Sequence, residues 1–214
     1  MNDLNIPVRH IGLLADSHGD LQATSRSINL LNRNGADFLV HLGDFFDSSR
    51  NYSHKAITGL LQEHNVHVVK GNNELQVENT LSAELACVNS EVKEVLQYLK
   101  ALPLVIVFED LCFAHSLPFD NVRSVYEPID TGGTERARVI FQNTAHRVLF
   151  CGHSHLPIIF EWNSDLVRRI KMDPGSSLRL SADSRYIIVI GAAESGECSL
   201  FDLKSMIYKR FNAV

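Results

Sequence analysis

The chain has 214 residues, 45% of them hydrophobic and 21% charged, an ordinary balance for one soluble globular domain spanning residues 1–214. Its formal net charge of -5 leaves no basic stripe for a nucleic-acid backbone, so no stable nucleic-acid complex is expected. Four scattered cysteines without a CxxC pair, no visible signal peptide at Met1-Asn2-Asp3-Leu4-Asn5 and no apolar run of the roughly 18–20 residues that span a bilayer place the expected protein in the cytoplasm, away from membranes.

A strand is predicted over residues 8–15. Asp20 then serves as a helix N-cap, Leu21, Ile28 and Leu31 share a helical face, and Gly35 ends the helix. A second strand covers 38–42, a polar loop 48–53, a helix 56–63 and a third strand 66–70. Strand–helix–strand–helix–strand is the pattern of a parallel sheet. Residues 75–102 lack Pro and Gly and carry apolar residues at helical spacing, which predicts one broken helix or two. Strands at 104–108 and 111–114 flank the turn Glu109-Asp110, an irregular loop covers 118–133, and Thr134 caps a helix running to Asn143. The last third turns to short strands, at 158–162, 167–172, 186–191 and 199–203, which predict a second, mostly antiparallel sheet. Cys112 and Cys151 sit inside apolar strand runs and read as small buried hydrophobes.

Five apolar runs end in short polar signatures. These are Asp16-Ser17-His18, Gly43-Asp44-Phe45-Phe46-Asp47, Gly71-Asn72-Asn73-Glu74, His115, and Gly152-His153-Ser154-His155. In open α/β sheets, ligands sit beyond the carboxyl ends of the strands. Imidazole nitrogen, carboxylate oxygen and an amide oxygen are donors suited to Mn, Fe, Zn or Co. Seven such donors exceed one tetrahedral ion and fit two ions that share a bridging carboxylate, ~3.5–4 Å apart.

These motifs, in this order, resemble the calcineurin-like metallophosphoesterase superfamily: D-x-H, G-D-x-x-D, G-N-[HCN]-[DE], a lone His after a strand, and G-H-x-H. The resemblance covers about residues 8–210. Asp173-Pro174-Gly175-Ser176 matches the N-P-G-S turn of the small bacterial and archaeal phosphodiesterase branch, with Asp in place of Asn. The resemblance implies an α/β fold, a four-layer α/β/β/α sandwich of two mixed sheets with metals at the strand ends. It implies that Asp16, His18 and His155 hold one metal, that Asn72, His115 and His153 hold the other, and that Asp44 bridges them. The implied cofactors are two divalent or trivalent transition-metal ions, Mn before Fe, Zn, Co or Ni. The implied activity is phosphodiester hydrolysis of a small phosphate ester or nucleotide, by hydroxide drawn from a water the ions share. Homodimers occur among small relatives.

The chain departs from the family pattern twice. Ser116 stands after His115 where the family usually has Gly. Asn73 stands where the commonest third motif has a His that contacts phosphate and donates a proton; an amide can hydrogen-bond a phosphoryl oxygen but supplies no proton. Asn73 and Asp44 are nonetheless the candidate catalytic pair, with Asn73 also a substrate contact.

Other polar residues have plainer readings. Asp47 is expected to fix its loop by hydrogen bonding, and Glu74 to orient Asn72 or Asn73. His10, His41, His64 and His67 read as structural or surface residues, and His146 as exposed. Phe45 and Phe46 read as packing. Arg50, Asn51 and His54 are either a solvated loop or contacts to a phosphate or leaving group. Two rivals to the phosphodiesterase are a phosphomonoesterase or protein phosphatase, and a catalytically weak metal-binding interaction scaffold on the same fold.

Overall fold

Alternation along the strands decides the layers. In the first strand, β1 (His10–Leu14), Ile11 and Leu13 join one apolar core while Leu14 joins another. A strand that is apolar on both faces must be covered on both, and here helices cover one side and a second sheet the other. The computed structural model that shows this describes residues 8–49, 54–83, 89–129 and 133–213. Arg50, Asn51, Cys87, the amino-terminal residues 1–7, and the apolar positions Leu85 and Val88 of the predicted helical segment lie outside the described residues.

The first sheet has the order β3-β2-β1-β11-β12-β9. Its parallel half is β1, β2 (Phe38–His41) and β3 (His67–Val68). The other half, β9 (Ser177–Arg179), β11 (Glu197–Asp202) and β12 (Ile207–Asn212), is antiparallel. Four helices pack outside it: α1 (Leu21–Arg33), α2 (His54–Glu63), α3 (Asn72–Ala83) and α4 (Ser90–Ala101). Asp20 caps α1 by accepting from Ala23 N at 2.8 Å, as predicted. The buried stripe of α1 is Thr24, Ser27, Ile28 and Leu31, and Leu21 is exposed instead of sharing that face. The long helical segment resolves into two helices, α3 and α4.

The second sheet has the order β4-β5-β6-β10-β7-β8. Its strands are β4 (Val105–Phe108), β5 (Leu111–Ala114), β6 (Val148–Cys151), β7 (Ile158–Asn163), β8 (Leu166–Ile170) and β10 (Arg185–Val189). β5, β6 and β10 run parallel, and the other pairings are antiparallel. Among the described residues one helix, α5 (Gly133–Asn143), covers its outer face through Ala137, Ile140 and Phe141. Thr134 therefore lies inside the first turn of α5, not at its cap. The loop before α5 contains a 3-10 turn at Val122–Tyr126.

The inner faces of the two sheets meet in the central core, where Phe113 and Phe150 stack at 5.5 Å and Phe201 and Tyr208 close the layer. The result is an α/β/β/α sandwich of two mixed sheets. One expectation is corrected: the last third forms no sheet of its own. β7, β8 and β10 complete the second sheet, whereas β9, β11 and β12 extend the first. β11 places Phe201 in the central core and Cys198 in the helix-covered core, so it needs neighbours on both edges and cover on both faces. Inserting beside β1 supplies them. Among the described residues, no helix is long and apolar enough to cross a membrane.

Candidate metal centre

β1, β2 and β3 are parallel, as are β5 and β6, so five strands deliver their carboxyl ends to one edge of the sandwich. The loops beyond them are stitched together by backbone hydrogen bonds. Asp16 N donates to Gly43 O at 3.0 Å, His18 N to Asp44 O at 3.0 Å, and Gly152 N to His115 O at 2.9 Å. Ten described non-glycine residues have positive φ, and five of them are predicted donors: Asp16, His18, Asp44, His153 and His155. That backbone region costs of order 1–3 kcal/mol per residue, and such residues gather where a site is held in a fixed shape. The glycines of the motifs allow close approach. A Cβ on Gly71 would stand 2.2 Å from Asp44 Oδ1, and one on Gly152 would stand 2.6 Å from Asp16 Oδ2.

The donor atoms converge in two groups, Asp16/His18/His155 and Asp44/His115/His153, each with ligand atoms within 4.8 Å of one another. In the first, His18 Nε2 lies 3.0 Å from His155 Nε2, and that nitrogen lies 3.6 Å from Asp16 Oδ1. In the second, His115 Nε2 lies 3.0 Å from His153 Nδ1, 3.0 Å from Asn72 Oδ1 and 3.5 Å from Asp44 Oδ1. Ligands bound at about 2.0–2.1 Å and at right angles to one another sit about 3 Å apart, so these spacings fit the coordination edges of a first-row ion. All seven predicted donors are brought into these two neighbourhoods.

The ring tautomers agree with that use. His115 Nδ1 donates to Leu42 O at 2.8 Å, which leaves Nε2 with a lone pair facing the centre. Burial, with His18 beside it, holds the His155 imidazolium unfavourable, so the ring stays in the neutral form that binds metal. The carboxylates tell the same story. Burial and the neighbouring Asp44 push Asp16 well above the usual carboxylate range. Burial also opposes charge on Asp44, but His115 and two N–H donors from Asn73 outweigh it and hold that group below its ordinary value. Glu74 is pushed up to about 8 by burial and by Asp44. A cation between these groups would offset their mutual repulsion.

The roles of several neighbours are now visible. Asn73 donates from its backbone N to Asp44 Oδ1 at 2.9 Å and from Nδ2 to Asp44 Oδ2 at 2.7 Å. Its Oδ1 accepts from Ser48 N and Ser48 Oγ. Glu74 does not hydrogen-bond Asn72 or Asn73, contrary to expectation. It is fully buried and accepts from the backbone N–H groups of Asp44, Phe46 and Gly71 at 2.7–2.8 Å, which fixes the two loops to each other. Asp47 accepts from Ser49 N and Oγ, as expected of a loop-fixing residue. Phe45 and Phe46 are wholly buried, and the His54 ring meets Phe46 edge-on at 4.7 Å. Ser116, in the family's glycine position, needs no positive φ and donates its hydroxyl to Glu127 O, tying down the loop that follows. His146 is half-buried and not exposed.

One further contributor fits its structural reading and another was missed. His41 is fully buried beneath the first loop, with Nε2 2.8 Å from Ser17 Oγ, and burial, followed by the neighbouring His115, lowers its pKa to about 3. Glu194 lies 3.4 Å from His155 Nδ1, and its backbone N donates to Asp16 O at 3.3 Å. It follows β10, which runs parallel to β6, so the strand-end rule that found His153 also points to it.

The sequence profile of the calcineurin-like phosphoesterase superfamily domain matches residues 10–196, and the chain belongs to that family. Among solved structures, a metallophosphoesterase from Sphaerobacter thermophilus is similar, with a TM-score of 0.73 at 23% identity over 96% of this chain and 88% of that one. A dimetal phosphatase from Danio rerio has a TM-score of 0.52 at 13% identity, covering 98% of each chain. A novel archaeal phosphodiesterase has a TM-score of 0.52 at 16% identity, over 95% of this chain and 99% of that one. At these identities the likeness speaks to the fold. No curated protein matches the chain.

Proposed function

We propose that the protein is a dinuclear metal-dependent phosphodiesterase that hydrolyses a small phosphate ester or nucleotide. The observation that carries this is the convergence of the two donor groups at one edge of the sandwich. In this reading Asp16, His18 and His155 hold one ion, Asn72, His115 and His153 hold the other, and Asp44 bridges them. Bound there, a pair of ions lowers the pKa of water and offsets charge building on phosphoryl oxygens. Mn is the favoured metal, with Fe, Zn, Co and Ni as other candidates for such nitrogen and oxygen donors.

The chain's own groups set the geometry. Glu74, by gripping the backbone on either side of Asp44, fixes where that carboxylate points. Asn73 Nδ2 carries two hydrogens; Asp44 takes one, and the other is directed to a phosphoryl oxygen. No proton comes from Asn73, so the leaving group must depart as an anion or be protonated by solvent. Diesters with good leaving groups, or leaving groups that are themselves phosphates or nucleotides, are the substrates this arrangement serves. Arg50 and His54 complete the proposal as outer contacts to the substrate. The buried thiols Cys112, Cys151 and Cys198 support a reducing compartment such as the cytoplasm.

The test is a matrix of metals against substrates on chelator-stripped, reconstituted protein. The expected result is turnover of aryl diesters with Mn, above that of the matching monoesters. Faster monoester cleavage would establish the phosphomonoesterase alternative. A protein that takes up no metal and cleaves neither class would favour an interaction scaffold on this fold.

A further inference from the structure

The two halves of the metal centre are supported differently. The half containing Asp44, His115 and His153 is the deeper one, with His115 fully buried and its Nδ1 held by the main-chain carbonyl of Leu42. The half containing Asp16, His18 and His155 opens outward, and the His155 side chain is 36% exposed. An exposed imidazole loses rotamer freedom when it binds a metal, so something must hold it in place beforehand.

The 3-10 turn Ala193–Ser195 stands where that support is needed. It leaves β10 and docks on the tail of β1: Ala193 N donates to Ala15 O at 2.7 Å and Glu194 N to Asp16 O at 3.3 Å. The same residue sends its carboxylate to within 3.4 Å of His155 Nδ1. We infer that Glu194 is the positioning residue of the outer metal half-site, holding His155 through its side chain and Asp16 through its main chain. At 3.4 Å the carboxylate attracts the Nδ1 edge of the ring, which favours the tautomer with its proton on Nδ1 and Nε2 free for the ion, and its charge would strengthen that nitrogen as a donor. In this role Glu194 acts through His155 and Asp16. It also makes the two ions unequal, because the buried half-site has a neutral carbonyl in the corresponding place. This inference rests on the dinuclear reading of the site.

The experiment is a Mn titration of the chelator-stripped full-length chain by calorimetry, with free Mn followed by electron paramagnetic resonance. Glu194→Ala should weaken one of the two ions roughly ten- to a hundredfold and leave the other near its wild-type affinity. Glu194→Gln, which keeps an acceptor oxygen without the charge, should fall between wild type and Glu194→Ala. His155→Ala should remove the same ion, and the His155→Ala/Glu194→Ala double variant should bind Mn as His155→Ala does alone. Hydrolysis by Glu194→Ala should recover at high Mn, which a collapsed loop would not allow. Unchanged affinity for both ions, or equal weakening of both, overturns the inference. So does a wild-type chain that binds only one ion. A wild-type chain that binds two ions but cleaves no phosphate ester overturns the proposed activity instead, and the binding data still decide the role of Glu194.

Discussion

Among the described residues, the lone buried carboxylate of Glu161 and the cluster of Asp16, Asp44 and Glu74 are built on opposite plans. Glu161, 6% exposed, accepts from Arg168 at 2.6 Å, Ser184 Oγ at 3.0 Å and Tyr186 OH at 2.9 Å. Burial works against its charge, but these donors outweigh it and keep the group below its ordinary pKa. At the cluster Asp16, Asp44 and Glu74 are just as buried, yet among the described residues no lysine or arginine reaches any of them. Their hydrogen-bond donors are the Asn73 side-chain amide and backbone N–H groups. The Glu161 group brings its own counterion and is complete when the chain is folded. The second crowds carboxylates whose burial and mutual repulsion oppose their ionisation, a conflict that folding alone does not relieve, and that conflict marks it as a candidate site.

The largest expected effect separates the two by activity. Asp44→Ala and His153→Ala should each cut hydrolysis by at least about 10³-fold without unfolding the chain, while Glu161→Gln should leave kcat and KM unchanged. Rates near wild type in either of the first two would remove the assigned roles. Next comes the proton that Asn73 cannot give. A positioned acid contributes typically about 10²–10⁴-fold when a poor leaving group departs. The rate should therefore fall steeply as leaving-group pKa rises. Asn73→His should flatten that slope and help alkyl esters most. Similar native rates for alkyl and aryl esters, with chemistry limiting, would show that another acid is present, and His54 would be the first to mutate.

A smaller effect compares stability. Glu161→Ala strands Ser184 Oγ and Tyr186 OH, so urea unfolding should show a loss of about 1–3 kcal/mol. Asp16→Asn should instead raise the unfolding midpoint of the metal-free chain, because it deletes a charge that burial and Asp44 oppose. The two plans would be wrong if both changes moved stability in the same direction. The smallest effect is in pH. The folded pKa of Glu161 lies below its unfolded value, so its contribution is present above the ordinary glutamate range and is lost as pH falls through the folded value. Asp16 has the reverse sign in the metal-free chain. Its folded pKa is raised, so the stability linked to its proton is present at acid pH and lost as pH rises through that value. Unfolding midpoints across pH for wild type, Glu161→Gln and Asp16→Asn should show differences of opposite slope.

Much of this was legible because strand ends carry their chemistry locally. Asp16, Asp44, Asn72, His115 and His153 each sit within a few residues of an apolar run, so position along the chain already places them in space. What a reading of local pattern misses is pairing at long range. Nothing in residues 197–202 says that they insert beside β1, and the antiparallel character of the last third suggested a separate sheet. Glu74 illustrates the same limit at the site. Its place in the motif suggested a partner among its neighbours, Asn72 and Asn73, whereas its carboxylate reaches back to the backbone of Asp44 and Phe46. His41 lies within a strand run, and only the fold reveals Ser17 above it.

The insertion of β11 between β1 and β12, and of β10 between β6 and β7, has a consequence for synthesis. The seven predicted donors lie between residues 16 and 155, so all are synthesised before β10 and β11. Neither sheet can close until those late strands arrive, and pairing at such separation is slow to form. The nascent chain thus offers histidines and carboxylates to passing cations while it still lacks the frame that spaces them. An ion caught then would meet a partial, loosely held set of donors. Productive loading belongs after the last strands have docked, which makes metal uptake a finishing step and not the seed of folding, and leaves the newly made chain briefly dependent on how much metal the cell holds free.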